Sequence, residues 1–162
     1  MNIQDADYWI RHLNLIAHPE GGYYKEVFRS KQEVLRISSS DLKQSCTSIY
    51  YLLKGNDFSA FHRLSSDELW YFHKGEPLLI YAFNERGLLI VQELSDQDSG
   101  HLFVAIEAGS WFAAAVPSGT GFSLVSCVVA PGFDFSEFEM ADKHELNRLY
   151  PEHVMIINRF SR

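Results

Sequence analysis

The sequence predicts an all-β domain, a sandwich or barrel with one short helix near each terminus. Three observations carry this. Short, aromatic-rich apolar runs recur through the 162 residues. Turn signals such as Lys54-Gly-Asn-Asp57, Asn84-Glu-Arg-Gly87 and Pro131-Gly132 separate them. Helical spacing of apolar residues is confined to the two ends. A chain of this length is the usual size of one domain, 1–162, and can bury a substantial core.

At the N-terminus Asp5 caps a helix through about Leu13, burying Tyr8, Trp9 and Leu13. His18-Pro-Glu-Gly-Gly22 then makes a tight turn, since Pro19 sets one dihedral and the glycines permit positive ones. In the strand that follows, Tyr24, Glu26 and Phe28 alternate with Tyr23, Lys25, Val27 and Arg29. Residues 31–45 are polar and serine-rich and read as a surface connection with marginal structure. Strands follow at Thr47–Leu53, Leu78–Phe83, Leu88–Leu94, His101–Ile106, Trp111–Val116 and Gly121–Ala130. Asp142 and Glu145 make a capping box for a last helix that Pro151 ends.

Composition excludes several classes. The net charge of -7 argues against unspecific binding to nucleic acid or to an anionic membrane surface. No apolar run reaches the ~20 residues of a membrane helix, and no secretory leader is present, so a cytoplasmic location is expected. Cys46 and Cys127 stand in no pairing or metal-ligand spacing, and Cys127 lies in the apolar run Leu124–Val129.

The chemistry concentrates in Phe58–Gly75, expected as two strands joined at Ser65-Ser-Asp67. On one face of the first strand His62 joins Ala60 and Leu64; on the second, Glu68 joins Trp70 and Phe72. If this hairpin curls over a cavity, an imidazole, a carboxylate and an indole converge. His18 or Glu20 is expected at the pocket mouth, against the plainer reading of their motif as turn chemistry alone. His73 lies five residues from Glu68 and so faces away on a regular strand.

These residues resemble the cupin superfamily, whose first motif places a histidine, a glutamate and a glycine as His62, Glu68 and Gly75 stand here. Gly109 and Pro117-Ser-Gly119 match part of the second motif. Together with His18-Pro-Glu-Gly-Gly, Phe61-His-Arg-Leu, Asp67-Glu-Leu-Trp and Pro131-Gly-Phe133, the pattern resembles the uncharacterised cupin-5 branch over nearly the whole chain. The resemblance implies a double-stranded β-helix, or jelly-roll barrel, similar to that of sugar-nucleotide epimerases, and a homodimer. It also implies departures. Leu64, Phe122 and Ser126 stand where the family places two histidines and an asparagine, so no metal and no other cofactor is expected.

What remains is an apolar, aromatic-walled pocket with a few polar groups, expected to bind a small molecule. The alternative is a metal-independent isomerase or epimerase acting on a sugar nucleotide or related carbonyl compound. It would use His62 as general base, Glu68 to hold the imidazolium and Tyr81 as acid. Trp70, Trp111 and Phe122 are the candidate aromatic contacts, and Arg63 a candidate anion clamp that reaches the cavity only at a strand end.

Overall fold

A computed structural model describes residues 4–162. Helix α1 (Ala6–Leu13) begins where Asp5 accepts a hydrogen bond from the Tyr8 amide at 2.8 Å. After it run β1 (Ile16–Ala17), β2 (Tyr23–Arg29), β3 (Glu33–Arg36), β4 (Asp41–Gln44), β5 (Thr47–Lys54) and β6 (Phe58–Leu64). The chain continues through β7 (Asp67–Gly75), β8 (Leu78–Phe83), β9 (Leu89–Leu94), β10 (Phe103–Ile106), β11 (Phe112–Ala115) and β12 (Phe122–Ala130). It ends with β13 (Phe138–Met140), α2 (Lys143–Leu149) and α3 (Val154–Arg159). None of the described helices is long and apolar enough to cross a membrane.

Two antiparallel sheets face each other in a jelly roll. One has the order β1-β2-β5-β12-β7-β10, the other β13-β6-β11-β8-β9. This corrects the expected hairpin at Ser65-Ser66. β6 pairs with β11 and β13, and β7 with β12 and β10, so the two strands never pair with each other. The turn carries the chain from one sheet to the other, and that is why His62 and Glu68 line one cavity from opposite sheets.

The 31–45 segment is likewise more ordered than expected. β3 and β4 pair along four residues as a separate ribbon. Its Arg36 and Lys43 both ion-pair with Glu137, in the segment between β12 and β13. At the C-terminus Pro151 does end α2, but a 3-10 turn and α3 follow, so two helices rather than one close the chain.

Three apolar layers result. Tyr51, Leu53, Trp70, Ile80, Phe112 and Val125 pack between the sheets. α1 covers the outer face of the first sheet over Leu52 and Leu124. The C-terminal helices cover the outer face of the second, where Leu146, Ile157 and Phe160 meet Phe61, Phe83 and Trp111. Burying each such side chain contributes about 1.5–3 kcal/mol. The strands are therefore apolar on both faces for much of their length.

Candidate functional site

The packing between the sheets stops short of one end of the sandwich. A cavity of about 400 Å³ remains there, walled by both sheets and by the segment Phe133–Phe138. Leu64, Ile49, Val129 and three phenylalanines, Phe133, Phe135 and Phe138, give it an apolar lining. Two histidines and two glutamates are among the polar groups on its wall: His18, Glu20, His62 and Glu68.

Glu20 is placed by the turn. The Gly21 amide donates to His18 O at 3.0 Å, and the His18 amide to Gly22 O at 3.0 Å. Gly21 has φ +118, and a Cβ on it would stand 2.1 Å from Phe58 O, so only glycine fits. The Tyr51 hydroxyl donates to Gly21 O at 2.7 Å, and the Ala60 amide to Glu20 O at 3.0 Å. The turn is thus pinned to a strand of each sheet, and Glu20 is buried with 5% exposure. The Glu20 amide also donates to His18 Nδ1 at 3.2 Å. That nitrogen accepts, so the neutral His18 ring carries its proton on Nε2. Burial holds this imidazole below its usual value, with Glu20 opposing and His62 reinforcing the shift.

His62 sits on β6 with its ring centroid 4.2 Å from that of Phe112, which in turn meets Trp70 edge-on. Its Nδ1 lies 2.8 Å from Ala60 O. A carbonyl only accepts, so Nδ1 carries a proton. Nε2 lies 3.1 Å from Glu20 Oε2. The Nε2–Oε2 contact therefore holds one proton, either as imidazolium and carboxylate or as imidazole and carboxylic acid.

Glu68 enters from β7, on the opposite sheet, with 7% exposure. Its Oε2 has no hydrogen-bond partner among the described residues. Burial, with the Glu20 carboxylate adding to it, pushes the Glu68 carboxyl up to about 8. The Trp70 indole and the Cys127 thiol lie close enough to oppose the shift, but the indole N–H makes no hydrogen bond of its own. Burial and Glu68 together raise the Cys127 thiol well above its usual range, so it is not a nucleophile. At neutral pH Glu68 is a carboxylic acid in an apolar wall, with a donor and acceptor to offer.

At the rim, Glu26 and Arg29 form a bidentate pair: Nε to Oε1 at 2.9 Å and Nη2 to Oε2 at 2.7 Å. Nη1 and Nη2 each also reach Phe133 O at 3.2 Å, and Nη1 reaches Gln44 Oε1 at 3.2 Å. The five N–H donors of the guanidinium are thereby all engaged.

The structure brings His18, Glu20, His62 and Glu68 together around this cavity, and leaves the other sequence candidates outside it. Trp70 shares a face with Glu68 but lies one step deeper, in the packed core. Tyr81 and Trp111 are on the outer face of the second sheet, under the C-terminal helices, where Tyr81 packs on Phe160. Arg63 stacks over Trp111 at 4.4 Å and pairs with Glu139 on that same outer face. Phe122 packs in the layer beneath α1. The residues of β12 that look into the cavity are Cys127 and Val129 instead. His73 faces Tyr50 outside the cavity.

Sequence reasoning missed Tyr24, Glu26, Arg29 and Phe133–Phe138. Strand alternation pointed to Tyr24 and Glu26 but not to Arg29. β2 carries a bulge between Glu26 and Phe28, and the extra residue returns Arg29 to the face of Glu26 while turning Phe28 outward.

Cupin barrels can carry a metal, and the donor set here does not fit one. Leu64 occupies a lining position, Cys127 and Val129 face in from β12, and His62 Nε2 is directed at Glu20. Among the described residues no three His, Cys, Asp or Glu side chains are arranged to hold a metal ion.

Comparison with known proteins fits this architecture. A hypothetical protein from Leishmania major superposes with TM-score 0.91 at 32% identity, covering 97% of this chain and 98% of the other. A protein from Shewanella oneidensis does so with TM-score 0.89 at 37% identity, covering 99% of both chains. Oxalate decarboxylase from Bacillus subtilis shares the fold alone, with TM-score 0.56 at 15% identity over 36% of its length. No curated protein matches. The family profile described as cupin superfamily, DUF985, matches residues 7–141, and the chain belongs to that family.

Proposed function

We propose that this protein binds a small organic molecule in the barrel cavity, oriented by Glu68 and by the His62–Glu20 pair. One observation carries the reading: Glu68, a buried carboxyl in no ion pair among the described residues, stands in the wall of a largely apolar cavity of ligand size. A hydrogen bond between that carboxyl and a ligand hydroxyl or carbonyl would contribute about 0.5–1.5 kcal/mol. Native mass spectrometry of protein incubated with a cell extract tests this. A bound small molecule should appear with the wild type and be lost when Ile49→Trp fills the cavity. A ligand retained by that variant would place binding elsewhere.

A second reading is a metal-independent isomerase or epimerase acting on a carbonyl compound. It is favoured by the one proton held between His62 Nε2 and Glu20 Oε2, beside a second acid, Glu68. Glu20, not Glu68, is then the carboxylate that holds the imidazolium. Deuterium exchange from solvent into carbonyl compounds, followed by NMR, tests it. Exchange that disappears in His62→Asn supports a base, and no exchange across a broad panel leaves binding alone.

A further inference from the structure

We infer that the cavity selects an uncharged hydroxy or carbonyl compound and rejects phosphorylated and carboxylated ones. This rests on the binding reading above and narrows its ligand. Arg29 is the only arginine or lysine lining the cavity among the described residues, and Glu26, Phe133 O and Gln44 already engage all five of its donors. His62 is matched by Glu20 at 3.1 Å. His18 spends Nδ1 on the Glu20 amide and is held neutral by burial.

No free cation is left to meet an anion. Glu68 has no cationic partner either, and burial keeps it protonated. Asp134 adds a carboxylate at the rim, stabilised by Ser136, and so repels anions further. Seating a phosphate or carboxylate here would strand an unpaired charge against Leu64, Ile49 and Val129, which is heavily penalised. An alcohol or ketone needs only a donor and an acceptor, and Glu68 offers both. Nucleotide sugars are thereby excluded as ligands of this cavity.

Saturation-transfer NMR with matched fragments tests this: cyclohexanone and 4-hydroxycyclohexanone, cyclohexyl phosphate and cyclohexanecarboxylate, and cyclohexylamine. The uncharged pair should bind at least tenfold more tightly than either anion or the amine, and be lost in Ile49→Trp. In Glu26→Gln, where Arg29 is released from its carboxylate, cyclohexyl phosphate binding should rise by at least tenfold. Anions or the amine binding as well as the uncharged pair would overturn the selectivity while leaving a ligand cavity. No binding by any fragment would overturn the cavity reading along with it.

Discussion

Glu26 and Arg29, three residues apart on one strand, join side chains through two parallel hydrogen bonds on the same face. On a regular strand they would point to opposite faces. The bulge in β2 between Glu26 and Phe28 brings them together. Arg29 thereby ties β2 to Phe133 O and so to the wall of the cavity.

Replacing Arg29 with Met should loosen that wall more than the fold. The pair is about 40% exposed, with Arg29 at 40% and Glu26 at 39%. Its loss should cost at most about 1 kcal/mol in urea unfolding. Hydrogen exchange should accelerate across residues 133–138. Unchanged protection there would show that Arg29 does not hold the segment.

Stability should fall as pH rises towards about 8. The Glu68 carboxyl keeps its proton up to about 8 in the folded chain, against an ordinary value of 4.5. Between those values the folded state binds more protons than the unfolded one. The stability this contributes is fully present below 4.5 and lost as pH rises through 8. Glu68→Gln, whose amide does not ionise, should remove a fall on the order of 5 kcal/mol over that window. His18 acts in the opposite sense, since its lowered value makes protonation at acid pH favour unfolding. The measurement is therefore the difference between variant and wild type, by urea unfolding at stepped pH. Parallel curves would mean that Glu68 is ionised in the folded protein.

Breaking the His62–Glu20 pair from one side should be worse than removing it whole. His62→Leu or Glu20→Leu each leaves a buried group without its partner and should cost about 3 kcal/mol. The double variant should lose less stability than either single variant, and far less than the sum of the two losses, because neither group is left buried without its partner. Additive losses would argue that the two groups do not share a proton.

The protein should form a homodimer. β1 pairs only with Tyr23 and Tyr24, so among the described residues the outer edge of β2 from Lys25 to Arg29 has no strand beside it. Val27 and Phe28 are exposed there at 46% and 54%. Light scattering at micromolar concentration should give a dimer, and Val27→Lys with Phe28→Glu a monomer. A monomeric wild type would refute it.

The sequence alone determined an all-β sandwich or barrel, because turn residues and apolar runs are local signals that each strand carries for itself, and the resemblance of its motifs to the cupins added the jelly roll. It also placed His62 and Glu68 on inward faces, since strand alternation is a local rule and a charged residue inside an apolar run stands out. The turn glycines marked the loop that delivers His18 and Glu20 for the same reason. Only the tertiary structure decided which aromatic residues face the cavity. Trp111, Tyr81 and Phe122 lie on outer faces that the terminal helices bury, and with both faces apolar, hydrophobicity no longer distinguishes inside from outside. Only tertiary structure, too, sent β6 and β7 to opposite sheets and put Glu20 rather than Glu68 against His62. Both depend on contacts between residues distant in the chain, and no residue announces such a contact by its own type.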